Sequence, residues 1–336
     1  MRLDLRLRAF LWFAGVTGAT DVSGGTPEKL ARLRAQKPPR GPLARRLSDW
    51  LVGPVAPDVA ITDREVPGRG GPVPVRLYRP YAAGDTPPVI VVLHGGGWAL
   101  GNLDANDPLA SRVAAGTGAL VVSVDYRLAP EHPYPAALHD VIDVLGWVAA
   151  SGAELSADPT RLAIMGDSAG ANLAAAACLW LRDTGAGPRI AEQVLLYPAV
   201  DALAETTGPP GAETSMLRES DARQFLTWYL GEHGDPTDPY VSPLRAASVA
   251  GLPAALVITA EHDLLRETGT RYARRLAGAG VPTRHSDYVG MMHGFFSLPG
   301  VCRSSPQAEA EVCRVLRAAL APVGADPEAA VVDHAL

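Results

Sequence analysis

From residue 58 onward, short apolar runs alternate with longer stretches of helical periodicity. Two β-rich runs, 59–66 and 73–78, flank Gly68, Gly70 and Gly71 and read as a hairpin. Six further apolar runs follow, at 89–93, 120–124, 162–165, 194–196, 255–259 and 283–289. All but the last are almost continuously apolar, as strands buried on both faces are. Helical stretches are predicted at 108–115, 136–150, 169–182, 264–279 and 307–321. This alternation predicts an α/β fold with a mostly parallel, eight-stranded sheet covered by helices on both faces.

Two segments break the rhythm. About 55 residues separate the run ending near Tyr197 from the one beginning near Pro253, more than a plain crossover needs. Within this insertion Ser220 is a predicted N-cap, and Phe225, Leu226, Trp228, Tyr229 and Leu230 form an aromatic helix face. The first 55 residues also lie outside the pattern, with Phe10, Trp12 and Phe13 ahead of a helix start at Thr26, Pro27 and Glu28. The chain therefore divides into body segments 56–200 and 251–336, with 1–55 and 201–250 placed to pack over the sheet as a cap.

Composition narrows the function classes. Of 336 residues, 47% are hydrophobic and 20% charged, enough for a sizeable core. A net charge of −6 and a pI near 5.8, without a dense basic tract, argue against a nucleic-acid partner. Cys178, Cys302 and Cys313 are an odd count without metal-ligand spacing, so neither a disulfide framework nor a metal site is expected. Arg2, Arg6 and Arg8 before the apolar stretch 9–16 resemble a short signal peptide, but Asp4 interrupts the basic region and the segment reads equally as a docked helix. The expectation is a cytoplasmic protein, with secretion the lesser reading. No run approaches the roughly 20 apolar residues of a spanning helix.

The sharpest local signal is Gly166-Asp167-Ser168-Ala169-Gly170, a G-x-S-x-G turn placed between a predicted strand and a predicted helix. Side chains at the flanking glycines would collide in so abrupt a turn, and Ser168 is lifted clear at the helix N-terminus. A serine needs a base and an oxyanion site to act as a nucleophile. The loop His94-Gly95-Gly96-Gly97-Trp98 follows a strand and can aim backbone N–H groups at a developing oxyanion. Read instead as a dinucleotide loop it fails, because Leu100 stands where G-x-G-x-x-G needs its third glycine. No Walker sequence occurs, so no nucleotide cofactor is expected, nor any other.

Of eight histidines, His293 follows the last predicted strand and suits a general base, while His285 lies inside that strand and His334 in a polar tail. His94 is better placed to orient the glycine loop. For the orienting acid, Asp263 follows the run 255–259 and completes the order Ser, Asp, His. A plain helix N-cap is its structural alternative and Asp201 its rival. Asp167 is expected to support the turn at Ser168.

Together the blocks 94–98, 125–135 (DYRLAPEHPYP), 166–174 (GDSAGANLA) and 293–295 resemble the hormone-sensitive-lipase-like, or bacterial family IV, carboxylesterases of α/β-hydrolase fold. The resemblance runs from about residue 58 to the C-terminus. It implies Ser168 as nucleophile, Asp263 as acid and His293 as base, with oxyanion donors at the N–H groups of Gly96, Gly97 and Ala169 and a helical cap above. One block departs from the family pattern: Leu264 stands where a proline commonly follows the acid. The expected activity is hydrolysis of small carboxylic esters through an acyl-enzyme. An amide, carbamate or lactone hydrolase with the same residues is the alternative, and a ligand-binding receptor on the same scaffold is disfavoured by the retained His293. The sequence leaves room for a homodimer.

Overall fold

The computed structural model describes residue 22 and residues 25–35, 41–204 and 216–322. The expectations placed on Phe10, Trp12, Phe13 and His334 lie outside these residues. Eight strands form one sheet in the order β1-β2-β4-β3-β5-β6-β7-β8: β1 Val59–Val66, β2 Val73–Pro80, β3 Pro88–Leu93, β4 Leu120–Val124, β5 Asp158–Asp167, β6 Glu192–Leu196, β7 Ala254–His262 and β8 Thr283–Met292. β1 pairs antiparallel with β2 and β2 with β4, and every pairing from β4 to β8 is parallel. The strands β3, β4 and β6 are almost entirely buried, which is why their sequences carry no polar alternation.

Residues alternate between two cores along each inner strand. Val89, Val91 and Leu93 join one apolar cluster, and Ile90 and Val92 the other. The first is covered by α4 (Ala136–Ala150), α5 (Ala169–Thr184) and α7 (Arg266–Gly278), and the second by α3 (Leu103–Thr117) and α8 (Ser305–Ala319). Helices on both faces thus satisfy the parallel sheet as the sequence pattern predicts.

The differences lie at helix starts. α3 begins at Leu103 and not at Pro108, because the Asn102 side chain caps it by accepting from the Ala105 N–H at 2.8 Å, and the helix runs through Pro108. α7 begins at Arg266, so Asp263 is not its N-cap. In the insertion, α6 (Glu219–Leu230) starts with Arg218 at the capping position in place of Ser220, and Glu219 and Asp221 sit in its first turn.

Ahead of the sheet, α1 (Pro27–Arg34) is capped by Thr26 as its sequence predicts, with the hydroxyl accepting from the Lys29 N–H. Arg34 then reaches across to the body, donating to the Ala99 carbonyl at 2.8 Å, to the Ala129 carbonyl and to both Glu131 oxygens. α2 (Pro42–Val52) instead meets the body through its C-terminal end, where Leu51 and Val52 pack on the second core and Arg112 donates to the Val52 carbonyl.

Glu192 opens β6 in a buried position, and loss of water raises its pKa to about 7. The folded chain therefore keeps this proton over a range in which the unfolded chain, ionising near 4.5, has released it. Its contribution to stability is lost as pH rises from about 4.5 through about 7, a total of about 3 kcal/mol by linkage. We expect Glu192→Gln to match the parent in thermal denaturation at pH 4.5 and to exceed it by several degrees at pH 8. An equal offset at both pH values would contradict this.

Candidate active site

The chain turns from β5 into α5 within a single residue. Ser168 adopts φ 53° and ψ −114°, a left-handed conformation that costs a non-glycine residue free energy. Its flanking glycines are required by contact: a Cβ on Gly166 would meet the Gly170 backbone at 2.3 Å, and one on Gly170 would meet the Leu93 carbonyl oxygen at 2.2 Å. The strained turn is held by the Ser168 N–H donating to Leu196 O at 2.9 Å and by Asn172, whose amide donates to the carbonyls of Ala199 and Val241.

Beside it runs the glycine loop. Gly96, Gly97 and Trp98 all have positive φ, at 121°, 59° and 58°. Among the described residues no hydrogen bond engages the N–H groups of Gly96, Gly97 or Ala169. Asp167 accepts from the Gly95 N–H at 2.7 Å and so ties the loop to the serine turn. Loss of water around that carboxyl outweighs the donation from Gly95 and raises its pKa to about 6. His94 is buried beneath, stacked on Tyr126 at 4.3 Å, with Nδ1 2.8 Å from the Gly95 carbonyl. Burial lowers its pKa to about 4, so the ring is neutral and its Nδ1 proton serves that carbonyl. Tyr126 in turn donates to the His94 carbonyl at 2.6 Å.

β7 and β8 end side by side, with His262 opposite Met292, which brings the two following residues together. His293 Nδ1 lies 2.8 Å from Asp263 Oδ2, and His293 Nε2 lies 2.9 Å from Ser168 Oγ. Asp263 is fully buried, and its other oxygen accepts from the Leu265 N–H at 2.9 Å, a local turn that forms without the proline of the family pattern. The Tyr197 ring packs on His293 at 4.8 Å. Glu261 holds the Gly290 N–H at 2.7 Å, three residues before His293. The rival Asp201 is engaged elsewhere, by Arg245 at 2.6 Å.

An apolar cavity of about 70 Å³ opens at Ser168, lined by Gly97, Trp98, Ala169, Ala199, Ala202, Ala222, Phe225, Leu226 and Val241 among others. α6 roofs it. A Cβ on Gly97 would fall 2.2 Å from the Phe225 ring, and the Tyr229 ring stacks on Trp98 at 4.3 Å. Of the residues singled out in the sequence, Ser168, Asp263 and His293 form one hydrogen-bonded chain, and Gly95, Gly96, Gly97, Trp98, Asp167 and Ala169 surround the serine. His94 supports from below. Tyr126, Asn172, Tyr197 and Arg34 were not assigned roles from sequence, although Tyr126 and Asn172 lie inside the quoted motif blocks.

A serine at a strand-to-helix turn, fed by a histidine and an acid from later strand ends, defines the α/β hydrolases, and residues 90–297 match the family profile of the α/β hydrolase fold. The chain belongs to that family, among its carboxylesterases. It is 41% identical over 271 residues to the carboxylesterase NlhH of Mycobacterium tuberculosis, covering 79% of this chain and 84% of that protein. With the esterase LipI of the same organism it shares 38% identity over 79% of this chain and 83% of LipI. The solved structure of an esterase from Pyrobaculum calidifontis superposes with a TM-score of 0.79 at 34% identity, covering 96% of this chain and all of that one.

The bond between Asp167 and Gly95 yields a test of how the loop is held. Asp167→Ala leaves a donor without its acceptor, which costs about 1–3 kcal/mol, whereas Asp167→Asn retains an acceptor oxygen. We expect urea unfolding to rank the proteins parent, Asn, Ala in falling stability, with Gly95 amide exchange accelerated only in the Ala variant. Equal exchange in all three would show that the loop is held by other contacts.

Proposed function

We propose that the protein hydrolyses carboxylic esters of small acyl groups through a covalent acyl-enzyme on Ser168. The observation that carries this reading is the unbroken chain from Ser168 Oγ to His293 Nε2 at 2.9 Å and from His293 Nδ1 to Asp263 at 2.8 Å. The carboxylesterase and esterase names of the relatives support the same chemistry.

In this mechanism Asp263 accepts a hydrogen bond from Nδ1–H and thereby fixes the tautomer that leaves Nε2 free to take a proton. As Oγ attacks the ester carbonyl, its proton passes to Nε2 and negative charge gathers on the former carbonyl oxygen. The unengaged N–H groups of Gly96, Gly97 and Ala169 receive that charge, the last reinforced by the N-terminus of α5. The tetrahedral adduct collapses as the alcohol leaves with the proton from Nε2. Water then repeats the sequence on the acyl-serine and releases the acid. The bound group is sorted by the apolar cavity under α6, where each methylene placed adds about 0.8 kcal/mol until the space is filled. α6, which roofs the cavity, is the part of the cap expected from residues 1–55 and 201–250 that the bound group meets in this reading.

Ser168→Ala is expected to lower kcat by roughly 10⁴ to 10⁶, and a fluorophosphonate to label Ser168 alone. Asp263→Asn is expected to lower kcat by roughly 10³ to 10⁴, while Asp201→Asn, at a residue that lines the cavity but lies outside the chain of bonds, is expected to be much milder. Label on another serine, or a reversed ranking of the two Asn variants, overturns the assignment.

For p-nitrophenyl esters, kcat/KM is expected to climb from acetate to an optimum between butyrate and octanoate and then fall for palmitate. Phe225→Ala opens the roof and moves the optimum to longer chains. A panel extended to acyl amides separates ester from amide hydrolysis, and a profile that Phe225→Ala leaves unchanged places the acyl chain outside this cavity.

A further inference from the structure

α2 carries apolar side chains on the face turned away from the body. Leu43 is 81% exposed, Leu47 63% and Trp50 53%, at spacings of four and three that align them along one stripe. Val55, 40% exposed, extends the patch beyond the helix. The helix is nevertheless anchored, by the Gly300 N–H donating to Leu51 O at 3.2 Å and by Arg112 donating to Val52 O at 3.0 Å. Arg46 stands exposed along one edge of the stripe, with Asp49 and Arg45 further round the helix, and neither arginine has an ion pair among the described residues. An anchored helix that holds two leucines and a tryptophan in water, with an arginine at the edge of the stripe, has the composition of a helix that lies in a membrane interface.

Charge along the chain agrees. Residues 1–50 contain 10 basic and 4 acidic side chains, a net +6, while the whole chain carries −6, so the remaining residues carry −12. A basic N-terminal stretch on an otherwise acidic chain is the sequence asymmetry expected of a protein drawn to an anionic surface. The sequence ahead of α1 adds Arg2, Arg6 and Arg8 together with Leu3, Leu5, Leu7 and Trp12, the same pairing of basic and apolar residues.

We propose that the exposed Leu43–Leu47–Trp50 face of α2 docks the protein onto anionic phospholipid bilayers. Docking lays the outer stripe at the boundary of headgroups and acyl chains, with Arg46 at its edge against lipid phosphates. None of these side chains lines the cavity at Ser168, so binding and hydrolysis of a dissolved ester are separable.

The test is sedimentation of the full chain with vesicles of phosphatidylcholine alone or mixed with phosphatidylglycerol, at low and high salt. We expect binding to the mixed vesicles only, weakened by salt, and reduced at least about tenfold in Leu43→Glu/Leu47→Glu/Trp50→Glu, with turnover of p-nitrophenyl butyrate unchanged. Brominated lipids are expected to quench tryptophan emission in the parent and much less in Trp50→Phe, a variant that preserves the fold. Several outcomes overturn the proposal. Parent protein that stays in the supernatant, or a triple variant that binds as the parent does, removes the membrane role. A parent dimer that the triple variant converts to monomer assigns the face to a second copy. Vesicle binding that appears only after residues 1–21 are deleted means that the chain's own N-terminal segment covers the stripe.

Discussion

Backbone contact at the Ser168 turn governs the placement of everything that acts there. Gly170 allows α5 to begin against the Leu93 and His94 carbonyls, so the helix is seated on the end of β3 with no side chain between them. The same contact fixes the glycine loop, which grows from β3, at the side of the serine. Asp167 closes the joint from the opposite direction through Gly95. A positive φ at Ser168 is tolerated because burial on both faces of β5 and the first core under α5 leave the chain no relaxed alternative.

Placement of Asp263 solves a different problem, that of a carboxylate without water. An isolated buried charge costs many kcal/mol, and the structure compensates with two directed hydrogen bonds, from Leu265 N–H and from the imidazole. Both donors are within the reach of adjacent strand ends, so the compensation follows from the pairing of β7 with β8. Between Ala260–His262 of β7 and Tyr288–Met292 of β8 the register shifts by two residues, the extra ones on β8, which brings His293 level with Asp263. The Asp263 carboxyl and the His293 ring thus meet through sheet geometry.

What was legible in the sequence follows the distance over which each signal acts. The eight strands, the glycines of the serine turn and the chain order that brings Ser168, Asp263 and His293 into one line of hydrogen bonds depend on local pattern or on strand sequence, and they are read directly. Helix starts were less legible: α3 is capped by Asn102, six residues before the predicted start at 108, and Arg218 rather than Ser220 precedes α6. Roles that rest on contacts distant in sequence carried no signal. Arg34 meets Ala99 and Ala129, and Asn172 meets Val241, through side-chain to backbone bonds that no periodicity marks. Tyr126 was inside a quoted motif, yet its task beneath His94 emerges only when β3 and β4 are paired in parallel.

The hydrogen-bonded chain at Ser168 and the roof of the cavity beside it are held by different parts of the molecule. Ser168, Asp263, His293 and the glycine loop sit on strand ends inside two continuous cores, where a displacement would disturb many neighbours at once. Among the described residues the roof over the cavity is tied by Phe225 on Gly97, by Tyr229 on Trp98, by the Tyr134 N–H to Tyr229 O at 2.7 Å and by the Val22 N–H to Asp221 at 3.1 Å, and Phe225 and Tyr229 belong to the first core. Side chains on α6 take no part in the hydrogen bonds from Ser168 to Asp263, so they can vary in size without altering them. The tie from Phe225 to Gly97 limits that independence, because any movement of the roof is felt first at a glycine whose N–H is aimed at the reacting oxygen in the proposed mechanism.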